Sequence, residues 1–346
     1  MPYLKMDSAD LPKVARKLAA SGARLVLPVR EGDERFYREG ADPDSLDLTT
    51  IPKNSIKEFL FPKTEKILRY QYRGKDVTVE DVPPAAAGRT VIFGARPCDA
   101  ASLPVVEPLW NWDYKDEFFN ARRGATVVVT YACRTAPDEA CFCVSVGLGP
   151  SSDQGSDVLL FPLDETVVAV RFVTAAGREL ESAFAEFGKG EVAEEALEAF
   201  RKTGEASLAH RKKFDRVQGW LEAHFEDRLW EEKAFRCVGC GTCTFLCPTC
   251  HCFDIQDESC FDVGYRLKNW DACQFSLFTL HTSGHNPRDT QPKRYRQRIY
   301  HKYAIYPQKF GKILCTGCGR CVAHCPVNLS LYDVVATAQE RAERGD

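Results

Sequence analysis

Twelve of the chain's sixteen cysteines fall between residues 237 and 325, and eight of these repeat one pattern twice. The first run is Cys237-x2-Cys240-x2-Cys243-x3-Cys247-Pro248; the second is Cys315-x2-Cys318-x2-Cys321-x3-Cys325-Pro326. Three cysteines at x2 intervals wrap a tight loop that offers three thiolates to three irons of one cubane. The proline turns the fourth cysteine away, and where two such runs occur it ligates the other cluster. The spacing therefore predicts two [4Fe–4S] clusters, one on Cys237, Cys240, Cys243 and Cys325, the other on Cys315, Cys318, Cys321 and Cys247. Gly241 and Gly319 follow the second cysteine of each run, where the backbone must approach the inorganic core closely. A zinc ribbon built from C-x2-C pairs is the competing reading. Tetrahedral zinc explains neither the third and fourth cysteine of each run nor the proline. Crossed ligation sets the two runs back to back, so the pair reads as a wire for electrons and not as a seat of bond-making.

The other eight cysteines are less regular. Cys98, Cys133, Cys141 and Cys143 lie upstream. Cys98 follows the apolar run Thr90–Ala95 and Cys133 follows Ala125–Tyr131, so two parallel strands ending side by side would bring both to one sheet edge, where α/β proteins place their sites. With Cys141 and Cys143 close behind, a third [4Fe–4S] cluster, a zinc site and free thiols all fit this spacing. Cys250, Cys252 and Cys273 sit between the two motifs, as additional metal ligands or as buried small hydrophobes.

The elements that must position these residues divide the chain. A composition shift near residue 230 separates an N-terminal α+β or α/β domain, residues 1–177, and a helical connector, 178–230, from a helix-rich, ferredoxin-type dicluster domain, 231–346. Leu11–Ser21 reads as a helix. Arg24–Val29, Leu68–Tyr72, Thr90–Ala95, Ala125–Tyr131, Val158–Phe161 and Val167–Val173 read as strands; their order does not follow from the sequence. A long insertion of sixty-seven residues, 248–314, separates the motifs, and residues 264–312 carry ten Lys or Arg against two Asp. That basic stretch fits a partner-docking or cluster-screening surface better than a nucleic-acid surface, because the whole chain has net charge −3.

No apolar run approaches the roughly 20 residues that span a bilayer, and no apolar signal core opens the chain. The expectation is a cytoplasmic protein, in which thiols stay reduced and disulfides are not the purpose of so many cysteines. No GxGxxG follows a strand, and neither a P-loop nor HExxH occurs, so no flavin or nicotinamide site is evident. The neighbours Arg96 and Asp99 could bond to ligands around Cys98, or Asp99 could cap the helix that follows. His324 reads as a neighbour of the second cluster and not as a ligand.

The run CVGCGTCTFLCPTCHCFDI, with NWDACQ, HNPR, YHKY and CTGCGRCVAHCPV, resembles the family of [4Fe–4S] dicluster electron-transfer subunits found in anaerobic sulfite reductases, which includes the β subunits of cytoplasmic sulfhydrogenases. The upstream GARPCDAASL and CFCVSVGLGP resemble the same family, so the likeness runs from about residue 90 onward. It implies an iron–sulfur subunit that relays electrons between a flavoprotein, which takes them from NAD(P)H or ferredoxin, and a catalytic redox subunit of hydrogenase, sulfite reductase or heterodisulfide-reductase type. It also favours the third cluster on Cys98, Cys133, Cys141 and Cys143, and a structural or ligand role for Cys250, Cys252 and Cys273; Cys260 has no counterpart. The competing reading is an oxidoreductase with its own substrate or flavin site in the N-terminal domain. A nucleic-acid-binding redox sensor is a weaker third.

Overall fold

The computed structural model describes residues 3–84 and 88–346. Its strands in chain order are β1 (Leu4–Asp7), β2 (Arg24–Glu31), β3 (Glu34–Glu39), β4 (Thr64–Arg73), β5 (Asp76–Asp81), β6 (Thr90–Ala95), β7 (Thr126–Tyr131), β8 (Val158–Pro162), β9 (Val167–Phe172), β10 (Phe253–Cys260) and β11 (Val263–Trp270). Seven of them form one sheet in the order β1-β9-β8-β7-β6-β2-β3. Its centre, β2-β6-β7-β8, is parallel, and both flanks are antiparallel.

The central strands are apolar on both faces because both are covered. Val91, Phe93, Val127 and Val129 pack with the helix Leu11–Ala20, whose Leu11, Val14, Ala15 and Leu18 lie on one stripe with Pro12 preset at its start. Ile92 and Val128, on the opposite face, pack with Leu103, Val106 and Trp110 of the helix Ser102–Asn111. Alternation at period two decides which side chain meets which helix.

A second sheet, β10-β11-β4-β5, is antiparallel throughout. Strand β11 pairs with β4 from Val263↔Gln71 to Asn269↔Thr64. Residues on the two sides of position 230 therefore build one sheet, and the hairpin between the cysteine motifs is anchored to the N-terminal half. The C-terminal core gathers Trp220 and Leu221 from the helix Val217–Ala223, Tyr295 and Ile299 from Gln291–Tyr300, and Val334 and Val335 from Leu331–Arg344. Ser330 starts the last of these by accepting the Asp333 amide at 3.1 Å. Among the described residues no helix is long and apolar enough to cross a membrane.

Candidate metal centre

Strands β6 and β7 run parallel, paired from Thr90↔Thr126 to Ala95↔Thr130 with a one-residue bulge at Gly94, so both segments leave the sheet at one edge. Past β6, Pro97 opens the short helix Pro97–Ala100 and places Cys98 in its turn. Past β7, the Cys133 amide donates to the Pro150 carbonyl at 2.8 Å. Cys141 and Cys143 follow on the loop that enters the turn Cys143–Val146. These four cysteines line one hollow, and Cys318 of the second motif lines it with them.

That fifth cysteine is there because the two loops are interlocked. Gly317, at φ 62°, leaves no room for a side chain: a Cβ would stand 2.5 Å from the Phe142 carbonyl oxygen. At Gly319, φ 78°, it would stand 2.6 Å from the Ala140 carbonyl oxygen. The Phe142 amide donates to the Gly317 carbonyl at 2.8 Å. Both glycines are needed for conformation and for close approach.

Beneath the contact, Arg320 makes a two-bond fork to Asp99 at 2.7 and 2.8 Å, with both side chains fully buried. The Tyr37 hydroxyl donates to the same carboxylate at 2.8 Å. Asp99 thus neither caps its helix nor meets solvent; it ties the Cys98 loop to the second motif.

Cys237, Cys240, Cys243 and Cys325 line a second hollow, again with a neighbour from the second motif, Cys321. Gly241 and Gly319, both left-handed, begin the matching turns Thr242–Phe245 and Arg320–Ala323. Cys247 lies buried among Cys315, Cys318 and Cys321, each of which feels its charge. Each motif's fourth cysteine thus stands with the other motif's first three, the juxtaposition that crossed ligation requires. Cys240 is exposed, whereas Cys315, Cys318 and Cys321 are buried.

The surroundings are rich in donors aimed at sulfur. Gln291 Nε2 lies 3.1 Å from Cys237 Sγ, the Leu329 amide 3.3 Å from Cys325 Sγ, and the Gly317 amide 3.4 Å from Cys315 Sγ. Lys302 Nζ, buried, lies 3.4 Å from Cys247 Sγ. The buried hydroxyl of Tyr295 and Nε of Arg298 have no hydrogen-bond partner among the described residues, and both side chains face Cys243 and Cys321. Orphaned donors beside thiol-lined hollows fit the sulfur acceptors of an iron–sulfur cluster. No three His, Cys, Asp or Glu among the described residues stand close enough together to hold a single metal ion. The thiols ring hollows instead of converging on a point.

Burial and neighbouring thiols raise the proton affinity of the N-terminal cysteines, pushing Cys143 up to about 12 and Cys98 well above the thiol range. A cationic iron core would reverse that preference. The basic stretch proves partly internal. Arg298 and Lys302 are buried against cysteines, and their places on the helix Gln291–Tyr300 and the turn that continues it follow from apolar Tyr295, Ile299 and Tyr303 sharing the inward face. Sequence reasoning missed Lys57, buried 187 residues from Thr244, whose carbonyl accepts from its Nζ at 3.2 Å. His324 is half-buried, and Cys260 is exposed on β10.

Comparison with known proteins bears out the resemblance. Residues 236–329 match the 4Fe-4S dicluster domain family. The chain is 29% identical over 351 residues to the sulfhydrogenase 2 subunit beta of Pyrococcus furiosus, an alignment that covers 98% of this chain and 99% of that protein. No solved structure matches. The two comparisons support an iron–sulfur electron-transfer subunit of an oxidoreductase.

Proposed function

We propose that this chain, an iron–sulfur electron-transfer subunit like the sulfhydrogenase β subunit in its whole extent, uses a row of three sites to carry electrons between a flavoprotein and a catalytic redox subunit. The order is Cys98/Cys133/Cys141/Cys143, then Cys315/Cys318/Cys321 with Cys247, then Cys237/Cys240/Cys243 with Cys325. When bound, [4Fe–4S] clusters supply one-electron redox capacity at a potential set by charge, hydrogen bonds and exposure.

The observation that carries the reading is the double role of the second motif. Cys318 lines the hollow of the N-terminal quartet while Cys321 lines that of the first motif. The middle site therefore has a ligand facing each neighbour, and the three thiol groups are contiguous.

The protein's part is to hold, insulate and bias. Gly317 and Gly319 fix the spacing between the first two groups, and Arg320–Asp99 locks it. Lys302 and Arg298 place buried positive charge beside the middle site, which favours the reduced, more negative state of a group bound there. Burial of Cys315, Cys318 and Cys321 excludes water, while exposed Cys240 gives the row one end accessible to a partner.

The test is spectroscopic and kinetic. The isolated chain should show iron–sulfur absorption without flavin, and should be reduced by NAD(P)H or reduced ferredoxin only when the flavoprotein is added. A bound flavin in the isolated chain, with turnover there, would establish the oxidoreductase reading instead.

A further inference from the structure

The hairpin β10–β11 leaves the first motif and returns to it, and its base brings together two cysteines outside the row. Cys252 immediately precedes β10, Cys273 follows β11, and twenty residues lie between them. Strand pairing runs to Phe253↔Trp270, and one step beyond it the Asp271 amide donates to the Cys252 carbonyl at 3.0 Å. The two backbones are thereby held side by side, and the Cys252 thiol donates a hydrogen bond to Cys273 Sγ. Cys250 turns the other way, to Cys247. What the hairpin base presents is a pair of thiols, too few to hold an iron–sulfur cluster or a zinc ion.

The two sulfurs are unequal. Cys273 Sγ accepts from Cys252, from the Thr244 hydroxyl and from Gln274 Nε2 at 3.6 Å, and the buried Arg298 guanidinium adds positive charge nearby. The Cys252 hydrogen bond first, and Arg298 after it, hold Cys273 below the ordinary thiol range, while the same bond raises Cys252. One sulfur is thus the thiolate, the form that attacks, and the other carries the proton. Packing alone gives no reason to turn three donors and a cation on one sulfur. Gln274 also reaches the row: its Oε1 lies 3.9 Å from Cys237 Sγ and accepts from Gln291 Nε2 at 2.9 Å. A single side chain therefore touches both the pair and a ligand position of the first motif.

We propose that Cys252 and Cys273 are a reversible dithiol–disulfide couple that exchanges electrons with the site at the first motif. Closing the couple forms the Cys252–Cys273 S–S bond, breaks the Cys252 S–H bond and releases one proton and two electrons. The proton goes to solvent, and the electrons leave singly to oxidised iron–sulfur clusters of the row. Opening reverses each change. The couple thus sets a two-electron store beside one-electron carriers. The exchange of electrons rests on the row of the reading above; the couple itself does not.

The full-length chain is purified anaerobically, equilibrated in dithiothreitol redox buffers of stepped potential, alkylated and mapped by mass spectrometry. A Cys252–Cys273 cross-linked peptide should appear across one two-electron transition, tenfold in its ratio per about 30 mV, and vanish on return to reducing buffer. C252S and C273S should lose the cross-link while keeping the iron, acid-labile sulfide and EPR signals of the unsubstituted chain. The double variant should take up two electrons fewer per chain in coulometric reduction. Absence of this cross-link at every potential overturns the proposal. So does loss of about four iron in either single variant with far-UV CD retained, which would make the pair ligands. Equal electron uptake in the double variant would overturn the exchange with the row. Should the variants not fold, the map of the unsubstituted chain decides alone. A cross-link that forms in a chain holding no iron would sink the row and leave the couple standing.

Discussion

At the scale of single residues, the pair Arg320–Asp99 illustrates what a motif cannot announce. The cysteines of each run are legible because their ligand geometry is written within eleven residues. Arg320 and Asp99 are 221 positions apart, and only the assembled fold reveals them as one buried unit. Breaking one partner leaves an uncompensated buried charge, so D99N should destabilise the chain by about 3–5 kcal/mol, read from chemical denaturation of the anaerobic protein. On the proposed function, Lys302 bears on electron transfer and not on folding alone. Replacing its charge in K302M removes a cation 3.4 Å from Cys247 Sγ, so the potential of the middle cluster should fall by on the order of 60 mV, a tenfold change in a one-electron equilibrium. EPR-monitored redox titration measures it; an unchanged potential would show that the charge is screened. The N-terminal thiols carry a proton consequence. Because burial raises them, Cys143 to about 12, they are protonated at neutral pH in the metal-free chain. Loading iron must then release protons, and reconstitution should weaken as pH falls from about 9 to about 6, as followed by iron incorporation and by proton release into weak buffer.

At the scale of elements, legibility follows burial. The helix Leu11–Ala20 and the strands β6 and β7 are readable because their apolar periodicity is the imprint of a covered face. Strands β5 and β10 are exposed along their whole length, so their short apolar alternation, Val77 with Val79 and Phe253 with Ile255, is not the imprint of a core face. Each pairs with its neighbour in the chain, β5 with β4 and β10 with β11, and the two hairpins become one sheet only through β4 and β11, which are far apart in sequence. Reading Cys98 and Cys133 onto one sheet edge needs only the two strands that precede them; that Cys318 joins them needs the contact of the loops 140–143 and 317–319. That contact makes a defined prediction. In G317A a Cβ would be forced against the Phe142 carbonyl in a backbone conformation that disfavours it. The variant should lose the iron of the N-terminal quartet, about four per chain, while keeping the EPR signals of the motif clusters. Retention of all iron would mean that the loops can separate without consequence.

At the scale of the whole molecule, the two halves are built as one folded unit. The sheet β10-β11-β4-β5 and the interlocked glycine loops both cross the composition boundary near residue 230. A fragment of residues 231–346 should therefore load fewer clusters and exchange amide hydrogens faster than the same residues in the full chain, as hydrogen exchange with mass spectrometry would show. The central claim is that the N-terminal quartet and the two motifs form a contiguous row through Cys318 and Cys321. Its most direct measurement is the EPR spectrum of the fully reduced chain beside that of C98S. Adjacent reduced clusters couple magnetically, so the unsubstituted chain should give a broadened, interacting spectrum, and C98S should give a simpler one with about four iron fewer. An identical spectrum and iron content in C98S would contradict the row.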